Sequence, residues 1–122
     1  MSTPVTILVC GGRDFSNYKL LSRRLDDFCS YILRQFDEHV NIVVHGAARG
    51  ADTLAQQWAL SNSITYLGVP ADWNTHGRSA GPIRNKAMLD HKPKYVIAFD
   101  GGKGTTNMIQ ISKEAGIKTF HI

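Results

Sequence analysis

The feature that most constrains this chain is a regular alternation of short apolar runs with longer amphipathic segments. Four such runs, each too short for a helix, lie at positions 5–10, 41–45, 64–69 and 95–99, and a last strand is predicted at 118–121. The run at 5–10 is continuous and rich in β-branched residues, which predicts a strand that is buried on both faces. Because a helical segment or a long loop separates successive runs, the strands are expected to pair in parallel beneath helices. The sequence therefore predicts a doubly wound α/β fold: one three-layer domain with about five parallel strands and helices on both faces.

The segments between the runs carry apolar residues three or four positions apart, which is the spacing of an amphipathic helix. The longest extends from residue 18 to about residue 39, and its apolar face consists of Leu21, Leu25, Phe28, Ile32 and Phe36. Further helices are predicted at about 51–61, 82–90 and 105–115, the last of them closed by Gly116. No linker, repeat or low-complexity tract interrupts this pattern, so residues 1–122 are predicted to form a single domain.

The composition is typical of a soluble globular protein, with 43% hydrophobic and 20% charged residues. The apolar runs are far shorter than the ~18 residues of a membrane span, and the first residues do not resemble a signal peptide. Cys10 and Cys29 lie in apolar patterns that suit reduced core residues, and no Cys/His pair has zinc spacing. We therefore expect a cytoplasmic protein with no membrane partner, no metal and no cofactor.

The chemistry of such a domain is expected at one edge of the sheet, because ligands of doubly wound folds bind beyond the carboxyl ends of the strands. Three of the four turns at that edge are rich in glycine, which lets backbone N–H groups approach an anion beside a helix N-terminus. For any single turn, the alternative is a tight connection that binds nothing. Taken together, the turns predict a ligand site formed by Gly11, Gly12, Arg13, Asp14, His45, Gly46, Arg49, Gly50, Asp52, Trp73, Arg78, Asn85, Gly101, Gly102, Lys103, Gly104 and Thr105.

The charges at this edge are mixed in sign. The net charge of +4 favours an anionic partner only mildly. Lysine and arginine side chains would meet phosphate, whereas Asp14, Asp52 and Asp72 would repel a polyanion but accept hydrogen bonds from ribose hydroxyls or a base amine. Trp73 either stacks on a base or covers the edge of the core. The mixture predicts a nucleotide-sized ligand and makes nucleic acid an unfavourable partner.

Four motifs carry a resemblance to a known family. They are GGRD at 11–14, HGAARGAD at 45–52, AGPIRNKAM at 80–88 and GGKGT at 101–105. In this order, and over nearly the whole chain, they resemble the SLOG superfamily, and within it the YspA-type, cpYpsA-related branch. The resemblance implies a Rossmann-like fold, a nucleotide-derived ligand and a homodimer. More distant members of the superfamily are the Lonely Guy phosphoribohydrolases and the DNA-processing protein DprA.

One position departs from the hydrolases of the superfamily. Lonely Guy enzymes use an arginine in the helix before the fourth strand and a glutamate that closes a Gly-Gly-x-Gly-Thr-x-x-Glu motif. Arg84 matches the arginine, but Met108 stands at the position of the glutamate, where helical spacing predicts a core residue. A thioether neither stabilises an oxocarbenium ion nor activates water. Cleavage would therefore need another carboxylate beside Arg84, either Asp72 or Asp14.

The sequence leaves three functions open. The first is a sensor, carrier or sequestering protein that binds a nucleotide or nucleotide-derived small molecule. The second is hydrolysis of the glycosidic bond in nucleoside monophosphates or ADP-ribose derivatives, with Arg84 and Asp72 as catalytic residues. The third is DprA-like binding of single-stranded DNA, which the acidic residues disfavour. His45, at the end of the second strand, is either a ligand contact or a residue hydrogen-bonded to a neighbouring loop.

Overall fold

The computed structural model describes residues 1–122 and contains one sheet of five parallel strands. The strand order is β3-β2-β1-β4-β5, so the first strand of the chain lies in the middle. The strands are β1 (Thr3–Cys10), β2 (Glu38–His45), β3 (Thr65–Gly68), β4 (Tyr95–Ala98) and β5 (Lys118–His121). The predicted α/β class with five parallel strands is confirmed.

Helices cover both faces of the sheet. They are α1 (Tyr18–Phe36), α2 (Ala51–Ser61), the single turn α3 (Trp73–His76), α4 (Ala80–Leu89) and α5 (Lys103–Glu114), with a 3₁₀ turn at Gly77–Ser79. On one face Leu21, Leu25 and Trp58 of α1 and α2 pack against alternate strand residues. On the other face Met88 of α4 and Met108 of α5 pack against the residues between them. None of the helices combines the length and apolar character that a membrane crossing requires.

The first helix ends earlier than the apolar spacing predicted. Asn17 caps its start, because its side chain accepts a hydrogen bond from the backbone N–H of Leu20 at 3.0 Å. At the other end, Asp37 adopts the left-handed conformation with φ 55°, and its N–H returns to the Leu33 carbonyl. The chain therefore leaves the helix at Phe36 rather than near residue 39, and β2 begins at Glu38 rather than at residue 41.

The segment predicted as an irregular loop at 70–81 contains regular structure. The Asp72 side chain accepts a hydrogen bond from Thr75 N at 3.2 Å and so caps the one-turn helix α3. Gly77, with φ +53°, ends that turn. Helix α4 then begins at Ala80, two residues before the predicted start at Pro82. The segment is thus a folded turn that packs beside the start of α4.

A buried polar cluster ties the sheet together at the amino ends of its strands. The Glu38 carboxylate, which is only 4% exposed, accepts a hydrogen bond from the Tyr95 hydroxyl at 2.6 Å and pairs with Lys94. Glu38 lies in β2, and Tyr95 lies in β4. Since these strands flank β1, the cluster joins the two neighbours of the central strand.

The order of the strands reverses between β1 and β4. From β1 the chain moves outward to β2 and β3, and then returns across the sheet to β4 and β5 on the other side. The loops that leave β1 and β4 therefore diverge and open a crevice at the carboxyl edge. Their backbones still touch at its base, where Gly12 N donates a hydrogen bond to the Asp100 carbonyl at 2.8 Å.

Candidate functional site

A cleft of about 540 Å³ opens at this reversal point. Its volume lies in the range of small-molecule sites, ~300–1,000 Å³. Four cationic side chains and one carboxylate line it, together with small and neutral polar residues. The lining consists of Gly11, Gly12, Arg13, Ala48, Asp52, Trp73, Arg78, Gly81, Pro82, Arg84, Asn85, Gly102, Lys103, Gly104, Thr105 and Asn107.

The floor of the cleft is built from closely packed backbone. A methyl group added at Gly12 would lie 2.9 Å from the Asp100 carbonyl oxygen and 3.0 Å from Gly101 Cα. Gly50, with φ +80°, lies against the Gly12 carbonyl. That carbonyl also accepts a hydrogen bond from Ala51 N at 3.1 Å. The turns after β1, β2 and β4 therefore meet at Gly12, and side chains are excluded from the contact.

The N-terminus of α5 forms one wall and has an open approach. Its capping residue, Gly102, makes no side-chain capping bond, and its first turn contains no acidic residue. A methyl group added at Gly102 or Gly104 would have no atom within 4 Å, and neither glycine has a positive φ. The fold itself therefore does not require glycine at these two positions. The first backbone N–H groups of the helix point toward space that an anion can enter.

Arg84 and Asn85 connect the opposite wall to this helix. The Arg84 guanidinium donates to the Gly46 carbonyl and, at 3.0 Å, to Asn85 Oδ1. Asn85, which is 4% exposed, donates to the Gly104 carbonyl at 3.2 Å and to Asn107 Oδ1 at 3.0 Å. Burial lowers the pKa of Arg84 from its ordinary value, which still leaves it a cation. The network holds this guanidinium at a fixed place in the cleft.

Asp52 supplies the negative charge of the cleft. It lies in the first turn of α2, is 6% exposed, and accepts a hydrogen bond from Ala48 N at 3.2 Å. Burial raises the pKa of this carboxyl to about 6, although N–H groups of the loop and the Arg84 and Arg13 charges oppose the rise. The group therefore titrates in the range that separates mildly acidic from neutral solution.

Trp73 stands at the mouth of the cleft. Its side chain is 47% exposed, and the Arg13 guanidinium lies 5.2 Å from the ring centroid. Such a contact holds the cation by the electrostatic attraction of the aromatic face. One edge of the ring approaches Gly81 at the start of α4. The ring thus forms an apolar surface beside a cluster of cations.

The family can be assigned by comparison with known proteins. A family model described as the YspA, cpYpsA-related SLOG family matches residues 5–76. The chain belongs to this family. Gene 61 protein of Mycobacterium phage D29 is 37% identical over 87 residues, which make up 66% of this chain and 70% of that protein.

One solved structure supports the fold. DNA processing protein A (DprA) from Streptococcus pneumoniae is similar with a TM-score of 0.69 over 98% of this chain, at 17% sequence identity. The chain spans 50% of that DprA chain. At this identity the likeness concerns the fold alone, and it agrees with the Rossmann-like domain that the family resemblance implied.

Of the residues predicted for the site, most lie in the cleft and some do not. Asp14 and Arg49 form an exposed ion pair at 3.5 Å outside it, and Asp72 is occupied in capping α3. Gly46, Gly50 and Gly101 lie behind the lining, where they pack against other parts of the site. Asp52, and neither Asp72 nor Asp14, is the carboxylate that lines the cleft together with Arg84.

His45 and Met108 lie within the protein and away from the cleft. The His45 ring is 2% exposed, stacks near Tyr66 with 6.2 Å between the ring centroids, and accepts a hydrogen bond from Ala47 N at 3.0 Å. Of the two alternatives for His45, the structure contains the bond to the neighbouring loop. Met108 is 1% exposed and lies on the face of α5 that packs against the sheet.

Four lining residues are absent from the predicted set: Ala48, Gly81, Pro82 and Asn107. Ala48, Gly81 and Pro82 lie inside the family motifs, but their side chains bear no polar group that would single them out. Asn107 follows Gly104 by three residues, which places it one turn further along α5 on the same side. That helical spacing is the signal that could have identified it.

Proposed function

We propose that this protein binds a nucleotide or nucleotide-derived small molecule, with a phosphate group over the N-terminus of α5. The observation that carries the proposal is one cleft that combines Arg13, Arg78, Arg84 and Lys103 with an uncapped helix N-terminus. Backbone N–H groups, the helix dipole and fixed cations together favour a phosphate. The open space at Gly102 and Gly104 gives that phosphate room to approach.

The remaining features favour a nucleotide over a bare anion. Trp73 offers a partly exposed aromatic face on which a base can stack, a contact worth ~1–3 kcal/mol in nucleic-acid complexes. Asp52 offers a hydrogen-bond acceptor for a hydroxyl or an amine. In this role the protein is a sensor, carrier or sequestering protein for the ligand.

The test begins with thermal-shift measurements on a panel containing AMP, NAD, ADP-ribose and cyclic dinucleotides. A nucleotide that binds the native state raises the melting temperature by mass action, and calorimetry then gives its affinity. We expect Lys103→Ala to weaken binding about tenfold, since it removes a charged contact. Lys86→Ala, an exposed cation of α4 outside the cleft, serves as the matched control and should bind like the wild type. Absence of stabilisation by every compound at millimolar concentration would refute the proposal.

Glycosidic hydrolysis is a second candidate, because Arg84 and a carboxylate line the same cleft. The hydrolase would release free base from a nucleoside monophosphate or an ADP-ribose derivative, and Arg84→Ala should abolish the release. Asp52 takes the place of Asp72 and Asp14 in this candidate, since neither of those lines the cleft. Chromatography that finds only intact nucleotide after prolonged incubation would remove this activity for the substrates tried.

Single-stranded DNA is the third candidate, favoured only by the likeness of the fold to DprA. DNA binding would weaken steeply as salt rises, because it releases counterions from phosphates. The single carboxylate in a small cleft speaks against an extended polyanion. Gel shifts at low salt that find no complex would exclude it.

We also propose that the protein is cytoplasmic and forms a homodimer. Cys10 and Cys29 are free thiols, as a reducing compartment would maintain them. Strand β3 lies at an edge of the sheet and leaves Tyr66 and Leu67 each 38% exposed, which offers apolar surface and unpaired backbone groups to a second copy. Light scattering coupled to size-exclusion chromatography tests the dimer, and a monomer at micromolar concentration would contradict it.

A further inference from the structure

Asp52 is the only acidic residue among the sixteen that line the cleft. It is buried, and it takes part in neither of the two ion pairs that Arg49 and Lys94 form with carboxylates within 4.0 Å. Its carboxylate accepts a hydrogen bond from Ala48 N at 3.2 Å, and the Gly46 N–H also faces it. An ionised carboxylate has about four acceptor positions. Acceptor positions of Asp52 therefore remain free for a ligand.

The groups around this carboxylate come from four parts of the chain. Arg84 approaches from α4. A methyl group added at Gly46 would lie 2.6 Å from Arg84 Nη1 and 2.9 Å from Asp52 Oδ2, so both side chains border the same small space beside Gly46. Arg13 contributes positive charge from the turn after β1, and the Cys10 thiol lies near the carboxylate at the end of β1. Burial raises the pKa of Cys10 to about 12, so this thiol stays neutral. The Gly46 and Ala48 N–H groups complete the surroundings of Asp52.

We infer that Asp52 determines the specificity of the cleft: it selects phosphorylated ligands that also present a hydroxyl or amine hydrogen-bond donor to its carboxylate. The inference rests on the proposed function and adds a requirement to it. The cations of the cleft attract any phosphate, including inorganic pyrophosphate. A second phosphate placed against Asp52 would meet like charge in a poorly solvated place. A donor placed there instead would form a charge-assisted hydrogen bond.

Two parts of a nucleotide can supply that donor, the ribose hydroxyls and the exocyclic amine of the base. Binding to the wild type is therefore measured by calorimetry with four compounds: AMP, 2′,3′-dideoxy-AMP, purine riboside 5′-monophosphate and pyrophosphate. At pH 7.5 we expect AMP to bind at least about tenfold more tightly than the analogue that lacks the required donor. Weak binding of the dideoxy compound identifies the ribose, and weak binding of the purine riboside compound identifies the amine.

The pH profile separates this role from a purely structural one. At pH 5.5, below the pKa of about 6, more of the Asp52 carboxyl is protonated than at pH 7.5, so selection for a donor should weaken and pyrophosphate should bind more tightly relative to AMP. In Asp52→Asn this change between pH 7.5 and pH 5.5 should be absent. Both proteins share the protonation of the phosphate itself, so their difference reports Asp52. Asp27→Asn, an exposed carboxylate of α1, is the control and should behave like the wild type.

The possible outcomes distinguish this inference from the proposed function. If no nucleotide binds at either pH, the proposed function fails and the inference fails with it. If AMP, both analogues and pyrophosphate bind equally at pH 7.5, the cleft binds phosphate and the role of Asp52 is refuted. Should Asp52→Asn fold poorly, the pH profile of the wild type still tests the role, because selection for a donor that is unchanged between pH 7.5 and pH 5.5 would refute it.

Discussion

Replacing Gly104 by alanine should stabilise the protein and weaken its binding of a nucleotide. Gly104 lies in the first turn of α5, and a methyl group there would have no protein atom within 4 Å. Alanine is favoured over glycine in a helix by about 0.5–1 kcal/mol. For a domain of this size the gain corresponds to a rise of about 2–6 °C in melting temperature. The hydrogen bond from Asn85 to the Gly104 carbonyl does not involve the added group.

The loss of binding follows from the same open space. If a phosphate lies over the N-terminus of α5, the methyl group occupies part of its path to the backbone N–H groups. Losing one hydrogen bond to a charged group costs about 1.5–3 kcal/mol, or about 10–150-fold in affinity. Stability and affinity should therefore change in opposite directions, which a general loosening of the structure would not produce.

Gly116→Ala provides the matched control. A methyl group at Gly116 also has no atom within 4 Å, but the residue has φ +76° and closes α5 at the end remote from the cleft. Alanine in this conformation costs about 1–2 kcal/mol, so this variant should melt at a lower temperature and keep its affinity. Thermal melts and calorimetry with the nucleotide from the thermal-shift panel measure both effects. Wild-type affinity in Gly104→Ala would refute the placement of the phosphate.

Three further predictions concern stability. As pH rises from 4 to 7, ionisation of the buried Asp52 carboxyl should lower the free energy of unfolding of the wild type by up to about 3 kcal/mol, because its pKa of about 6 lies above the ordinary 3.8. In urea titrations the stability of Asp52→Asn relative to the wild type should rise by that amount over this range, and an unchanged difference would contradict the reasoning. Burial alone would raise the pKa of Glu38, but hydrogen bonds from Lys94 and Tyr95 hold it below its ordinary value. The contribution of Glu38 to the free energy of unfolding is therefore present at neutral pH and lost on acidification. Tyr95→Phe should accordingly lower the free energy of unfolding by about 1–3 kcal/mol at pH 7 and by less at pH 3, and an equal loss at both would argue against the bond to Glu38. Met108→Glu restores the glutamate of the hydrolases but places a carboxyl in the core, so it should destabilise by about 3 kcal/mol or more in thermal melts. A stable Met108→Glu variant that cleaves nucleotides would show that the side chain reaches the cleft.

The sequence was sufficient for the fold because the fold depends on local periodicity. The four apolar runs and the segment predicted at 118–121 form the five strands, and parallel pairing followed from the segments between them. The predicted bounds of α1, β2 and α4 were wrong by a few residues, because single residues determine where a helix or strand begins and ends. Asp37 and Asp72 act through a left-handed conformation and a side-chain cap, and neither leaves a trace in the apolar spacing.

Predicting the site from the sequence was harder, because a loop sequence does not tell where its side chains point. The sequence favoured Asp72 or Asp14 as the carboxylate that acts with Arg84, but only Asp52 lines the cleft. The distinction arises from partners far apart in the sequence or from local caps. His45 is two residues from Val43 in β2, and alternation along a strand puts both on the face covered by α1 and α2. For His45 the alternation along β2 therefore predicts a buried side chain away from the cleft.

The backbone packing at Gly12 determines which residues of the cleft can be substituted without disturbing the fold. Its contacts with Gly50, Gly101 and Asp100 are made by backbone, so the shape of the floor does not depend on which side chains surround it. Arg13, Trp73, Arg78 and Lys103 stand above that floor with exposed side chains, and each can be replaced without altering the frame. On the proposed function, substitutions at the rim would therefore change which ligand the cleft accepts at little cost to folding. The residues that maintain this frame are thus separate in space from those that would determine specificity.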